Sequence, residues 1–206
     1  MNKGLFIAIE GGEGAGKSTH SKLLAQYLES LGHEVILTRE PGGTPTAEKI
    51  RKILLDPEIT DMPDHTEALL FAASRADHAI NLIRPSLERG ATVICDRYLD
   101  SSVAYQGYSR GLGAEKIRDL SLWATDDLIP DFTIYLDVPA EAALLRMDGT
   151  DRMEIQSRDF HKAVHQAFRD IAAASSFPNV LIDATAPKDE VAAAVQNAVA
   201  GVLASR

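Results

Sequence analysis

The sequence predicts a doubly wound α/β fold, with a five-stranded parallel sheet flanked by helices, in one domain over residues 1–206. Three observations predict it. Five short apolar, β-branched runs recur along the chain, helical patterns lie between them, and the first run leads into a glycine-rich turn that opens a helix. Strands alternating with helices in this way build a parallel sheet covered on both faces.

The first run, "LFIAI" at 5–9, is almost continuously hydrophobic, as a strand buried on both faces requires. After the turn, Leu23, Leu24, Tyr27, Leu28 and Leu31 recur at helical spacing, and Gly32 stops the helix. The second run is "EVILT" at 34–38. A long helical pattern extends from about Thr66 to Arg89, with Pro85 placed to bend or divide it. The remaining runs are "TVIC" at 92–95, "TIYLDV" at 133–138 and "NVLID" at 179–183. The last helix, "KDEVAAAVQNAVAGVLA", sets Val191, Val195, Ala198 and Val202 along one stripe. No repeat or linker marks a second domain.

Composition narrows the function. A net charge of -9 over 206 residues is unsuited to a general nucleic-acid or anionic-membrane surface, so neither partner is expected. Phosphate must then be held by a few placed cations. The early glycines in "MNKGLFIAIEGG" break up any signal peptide, and no apolar run reaches membrane-spanning length, so a cytoplasmic protein is expected. Cys95 is the only cysteine, which rules out an internal disulfide and leaves it as an inert buried thiol. His161 and His165, four apart on a helix, are expected on a solvated face, and Trp123 as a packed helix residue.

Gly11-x-x-x-x-Gly16-Lys17-Ser18 fits the phosphate-binding P-loop pattern in the context it needs, strand before and helix after. Gly11, Gly12, Glu13, Gly14, Ala15, Gly16, Lys17, Ser18 and Thr19 are therefore expected to cradle a nucleoside triphosphate. Backbone N–H groups point inward and the helix adds its positive end. Lys17 reaches the outer phosphates, and the Ser18 hydroxyl is placed to ligate Mg²⁺. A P-loop alone does not separate kinases from GTPases or motor ATPases. The guanine-binding N-K-x-D motif is absent and the chain is short for a motor, which favours a small-molecule kinase and calls for a second anion site.

Three arginines suit that second site: Arg39 in "TREPGGT", Arg51 in "AEKIRK" and Arg97 in "ICDRY". Loops after parallel strands converge at the carboxyl edge of the sheet, where ligands bind. Guanidinium groups pair bidentately with phosphate and keep their charge. Arg97 stands out because it follows a strand ending in Asp96. That residue resembles the acidic group that ends the second nucleotide-binding strand in P-loop enzymes and holds Mg²⁺ directly or through water.

Taken together, "EGGEGAGKST", "TREPGGT", "FAASRADH", "CDRYLDSSVAYQGYSRG" and "PDFTIYLDV" resemble the thymidylate kinase family in its bacterial form. The resemblance runs from Leu5 to about Val138 and more loosely beyond. It implies Mg²⁺-dependent phosphoryl transfer from ATP to dTMP, giving dTDP and ADP, by a homodimer with a P-loop-type sheet. The rivals are a kinase for another monophosphate or a deoxynucleoside, and an ATP-dependent switch without a small acceptor. The switch leaves "FAASR" and "DSSVAYQG" unexplained.

Phe71 and Arg75 are four apart, hence on one helix face. Their residue types suit a flat base, the ring stacking and the cation donating to a pyrimidine carbonyl; taken alone, Phe71 equally fits a core position. Ser102 and Gln106 are polar groups four apart that could meet the base edge, and Tyr105 is expected over the sugar, where its bulk disfavours a 2′-hydroxyl. The resemblance adds Glu40 to the acceptor pocket and gives Glu13 a purpose at the acceptor sugar or at Mg²⁺. Some members of the family carry an arginine beside the acidic residue of the P-loop; here Gly14 follows Glu13. Another cation is then needed, and the segment at about 146–158 resembles the family's lid. It offers Arg146, Arg152 and Arg158, with Arg152 the expected catalytic cation and a surface ion pair its alternative.

Overall fold

The computed structural model describes residues 4–146, 149 and 151–204. In chain order its elements begin with β1 (Phe6–Glu10), α1 (Lys17–Ser30), β2 (Val35–Arg39), α2 (Pro45–Leu55), α3 (Asp64–His78), α4 (Arg84–Glu88) and β3 (Thr92–Asp96). They continue with α5 (Leu99–Ser102), α6 (Ala114–Ala124), β4 (Phe132–Asp137), α7 (Ala140–Leu144), α8 (Arg158–Ala174), β5 (Asn179–Asp183) and α9 (Lys188–Ala204). The strands pair in parallel in the order β2-β3-β1-β4-β5.

Strand alternation divides the core into two layers. Phe6, Ala8, Val93, Cys95 and Tyr135 face one side and pack with residues of α8 such as Val164 and Phe168. Ile7, Ile9, Ile94, Ile134 and Leu136 face the other and pack with Leu24 and Leu28 of α1 and Val191 and Val195 of α9. Full burial of an aliphatic side chain stabilises by about 1.5–3 kcal/mol, so both layers hold the sheet firmly. Cys95 is buried, as expected.

The edge strands differ from expectation. β1 and β3 are buried throughout, but on β2 and β5 Leu37 and Leu181 are exposed. An outer strand has a neighbour on one side only, so the flanking helices cover it incompletely. Leu31, at the end of its stripe, is also exposed.

The long pattern over 66–89 is one helical path in three parts. Between α3 and α4, residues Ala79–Ile83 widen into a π-helical turn. Pro85 has no N–H for an α-helical bond back to residue 81, and the wider turn absorbs the break. A second π-helical stretch, Val103–Ser109, follows α5 and carries Tyr105 and Gln106. Two expectations are corrected here. Trp123 is 79% exposed on α6 and does not pack into the core. His161 and His165 do not form a solvated face: α8 turns both toward the domain, where His161 Nε2 meets Glu154 O at 3.2 Å and His165 Nε2 meets Asp137 Oδ1 at 2.7 Å.

Candidate active site

Parallel pairing brings the ends of β1, β2 and β3 to one edge: Ile9 and Arg39 both stand opposite Asp96. There the loop between β1 and α1 curls tightly. Gly11 has φ 143°, and a Cβ on it would lie 2.7 Å from Leu136 O. Gly16, in the left-handed region at φ 88°, caps α1. Only glycine takes both positions without strain. Lys17 folds back so that Nζ donates to Gly12 O at 2.6 Å. Burial, then Arg97, pulls its ammonium down to about 8, against the carboxylates of Glu13, Asp96 and Glu10. Ser18 Oγ donates to Asp96 Oδ2 at 2.5 Å, which sets a hydroxyl and a carboxylate together at the loop. Two hard oxygen ligands side by side fit Mg²⁺ when phosphate and water fill the remaining positions.

Arg97 joins this loop to the rest of the site. Its Nη1 donates to Gly11 O at 3.0 Å and Ser101 Oγ at 3.1 Å, while Nη2 meets Glu13 Oε1 at 2.7 Å and Tyr105 Oη at 3.2 Å. The guanidinium also lies 5.1 Å from the centre of the Tyr105 ring. Burial lowers the pKa of this group, but Glu13 and further anions outweigh burial and raise it. For Glu13 burial acts upward, yet Arg97 and then Lys17 hold its carboxyl down at about 2. The Arg97 backbone has φ 69°, a left-handed conformation that strains a residue with a Cβ. Behind it Glu10, fully buried, accepts from Tyr98 N, Ser101 N and Ser101 Oγ, and so fixes the start of α5.

A cleft opens beside Glu13 and Arg97. The structure brings Glu40, Arg51, Phe71, Arg75, Ser102, Tyr105 and Gln106 together on its wall. Phe71 is half-buried on its wall and absent from the core clusters. Arg75 is 2% exposed; Nε donates to Glu40 Oε2 at 2.8 Å, Nη1 to Ser121, and Nη2 to Tyr98 O and Ser102. Four of its five N–H groups are thereby used. Glu40 is held from its other oxygen by His78 at 3.0 Å. Arg51 donates to Pro41 O at 2.8 Å.

Arg39 is corrected: it points away from the cleft and pairs with Glu48 on the surface. Arg152 is corrected as well. It is 6% exposed, its Nη2 pairs with Glu67 Oε2 at 2.7 Å, and its Nε donates to Leu54 O at 2.8 Å. Its guanidinium is committed to a buried carboxylate and a backbone carbonyl. Arg146 donates to Ala184 O at 3.4 Å, and Arg158 is exposed at the start of α8. Within the expected lid, Met147, Asp148 and Thr150 lie outside the described residues.

Sequence reasoning missed Leu55, Tyr98, Ser101, Asp151 and Met153 on the cleft wall, and Glu67 behind it. Ser101 stands in the "DSSVAYQG" block, and Asp151 in the lid, so both were within reach. Nothing local marks Glu67.

A P-loop at the carboxyl edge of a parallel sheet, joined by one arginine to a separate polar cleft, defines a nucleotide-dependent phosphotransferase that takes a small acceptor. The comparisons refine that class. The family pattern described as thymidylate kinase matches residues 9–195. Thymidylate kinase of Clavibacter sepedonicus is 50% identical over 94% of this chain and 93% of its own, and that of Symbiobacterium thermophilum is 46% identical over 98% and 95%. The crystal structure of thymidylate kinase from Ehrlichia chaffeensis superposes with a TM-score of 0.79 at 33% identity, covering 96% of this chain and 99% of that one. The chain belongs to the thymidylate kinase family.

Proposed function

We propose that this chain transfers the γ-phosphoryl group of ATP to dTMP, giving dTDP and ADP, with Mg²⁺ and as a homodimer in the cytoplasm. The observation that carries the reading is the junction of P-loop and cleft: Arg97 touches Gly11 on one side and lines the acceptor cleft on the other. An acceptor phosphate held there lies in line with the end of a triphosphate on the loop. Phosphoryl transfer requires little beyond placing two anions together and stabilising the charge between them.

The triphosphate lies on the loop N–H groups, with Lys17 on its outer phosphates. Ser18 and Asp96 would hold Mg²⁺, which neutralises phosphate charge when bound. Arg51 and Arg97 receive the acceptor phosphate. Phe71 stacks on the base, and the remaining N–H of Arg75 donates to a pyrimidine carbonyl. Gln106 Oε1, buried and without a partner among the described residues, accepts the imide N–H of thymine. Tyr105, held by Arg97 and Glu13, is 4% exposed and leaves little room for a 2′-hydroxyl. Glu13 sets Arg97 and the tyrosine against the sugar.

Pairing of two chains follows from one face. Leu69, Ala73, Ala76 and Ile80 form a stripe at helical spacing, with Leu69 and Ile80 exposed, and Trp123 stands exposed on α6, which packs against α3. A second copy covers this stripe. Among the described residues no helix is long and apolar enough to cross a membrane.

The test is ADP release from ATP with and without dTMP, beside dUMP, dCMP, AMP and thymidine. Release that rises only with dTMP, or far more with dTMP than with the others, is expected. ATP turnover indifferent to dTMP would overturn the reading.

A further inference from the structure

Glu67, on α3, is completely buried and stands behind the acceptor cleft, outside its wall. Donors from two other parts of the chain converge on it. Oε1 accepts from Gln106 Nε2 at 2.8 Å and Arg110 Nε at 3.4 Å; Oε2 accepts from Arg110 Nη2 at 3.2 Å and pairs with Arg152 Nη2 at 2.7 Å. Burial pushes its carboxyl up, but the Gln106 hydrogen bond and the charges of Arg110 and Arg152 together hold it below the ordinary range.

A carboxylate only accepts hydrogen bonds, so the amide facing it must present its NH₂. The Gln106 carbonyl is thereby turned the other way. Gln106 lines the cleft, is 1% exposed, and its Oε1 has no partner among the described residues. The same carboxylate pins Arg152, whose neighbours Asp151 and Met153 line the cleft.

We propose that Glu67 is a positioning residue that sets base selectivity from behind the cleft, by locking the Gln106 amide as an acceptor, and that it seats residues 151–153 through the same carboxylate. The inference rests on the dTMP reading. A fixed acceptor suits a 2,4-dioxopyrimidine, whose N3 carries hydrogen. It refuses cytosine, whose bare N3 brings a lone pair against a lone pair.

The test is steady-state turnover of dTMP and dCMP at saturating ATP. In Glu67→Gln the new amide donates to Gln106 Oε1 and frees the Gln106 NH₂ to face the cleft. The dTMP:dCMP ratio of kcat/KM should fall about tenfold or more, since a matched hydrogen bond becomes a mismatched one. The change should lie mainly in KM for dTMP, with KM for ATP within about twofold of wild type. A structural role alone would lower both substrates together. Glu67→Asp keeps a negative charge beside both arginines but shortens the reach to Gln106, and it should lower the ratio in the same direction; thermal unfolding checks that it is folded. In a Gln106→Ala background, adding Glu67→Asp should leave the ratio unchanged, as coupled residues require. A wild-type ratio in Glu67→Asp, or a further fall in the Gln106→Ala background, overturns this inference alone. A wild-type chain that turns over no dTMP fails the substrate reading, and this inference with it.

Discussion

Replacing Arg97 by alanine and by glycine separates the work of its side chain from that of its backbone. Alanine removes the contacts to Gly11, Ser101, Tyr105 and Glu13 but keeps a Cβ at φ 69°. Breaking a buried ion pair costs roughly 3–5 kcal/mol. The side chains of Arg97 and Glu13 retain 13% and 20% exposure, which places this pair at the lower end, about 3 kcal/mol. Glycine loses the same contacts but relieves the left-handed backbone, which recovers about 1 kcal/mol. At roughly 2–4 °C per kcal/mol for a chain of this size, Tm should fall by about 6–12 °C in Arg97→Ala and about 4–8 °C in Arg97→Gly. Both variants should lose turnover on the order of 10³-fold or more, because the transition-state cation is gone. Thermal unfolding followed by circular dichroism, with coupled ADP release on the same samples, reads both effects. A glycine variant no more stable than the alanine one refutes the strain argument; near-normal kcat in either refutes the assignment of Arg97 to the transfer.

Phe71→Ala should raise KM for dTMP far more than KM for ATP, by the roughly 1–3 kcal/mol of a stacked base, and an unchanged KM for dTMP would return the ring to the core. Glu13 is held at about 2 against an ordinary 4.5, so its pairing stabilises the fold above pH 4.5 and is lost as pH falls toward 2. Between pH 7 and 3 that loss amounts to about 2 kcal/mol, and Glu13→Gln should lose that much less stability over the same interval in urea titrations. Arg152→Ala should raise KM for dTMP with a smaller change in kcat, because the residue anchors the wall of the cleft; a collapse of kcat at unchanged KM would restore the transferring role to it. Trp123→Arg should convert a particle of twice the 22.3 kDa chain mass to one of single mass by sedimentation, and an unchanged mass would remove this face from the interface.

The five strands could be read to within a residue or so because each is an apolar run bounded by turn or helix signals, and hydrophobic patterning is a local property. The P-loop was legible for a similar reason: its pattern encodes a backbone shape that few residues adopt. Helical spacing put Phe71 and Arg75 on one face, but only the resemblance of "FAASRADH" to the family moved Phe71 from the core to the cleft. Trp123 could be read either as a packed helix residue or as a dimer contact, since an apolar residue on a helix has the same signature in both; the structure leaves it exposed. The π-helical turns were invisible. The first follows the break at Pro85, and no composition of their own marks either stretch. Glu67 was hidden because its meaning lies in Gln106, Arg110 and Arg152, which are distant in sequence.

Arg152 shows the same limit from the other side. Sequence supplies a cation in a polar segment near the lid, and an acidic protein that must hold two anions has few cations to spare. The structure divides its cations differently. Arg97 is paired with Glu13 and Arg75 with Glu40, so both guanidinium groups are held in a fixed orientation. Lys17 and Arg51 have no carboxylate at ion-pair distance among the described residues; their hydrogen bonds go to the carbonyls of Gly12 and Pro41. Cations without an ion-pair partner among the described residues thus stand in two places, one on the P-loop and one in the cleft. On the proposed reading each phosphate would then meet its own cation, with Arg97 and Arg75 held in direction by their carboxylates. A chain of net charge -9 can hold two anions on these terms without a basic surface, and Arg152 is free to serve the wall instead.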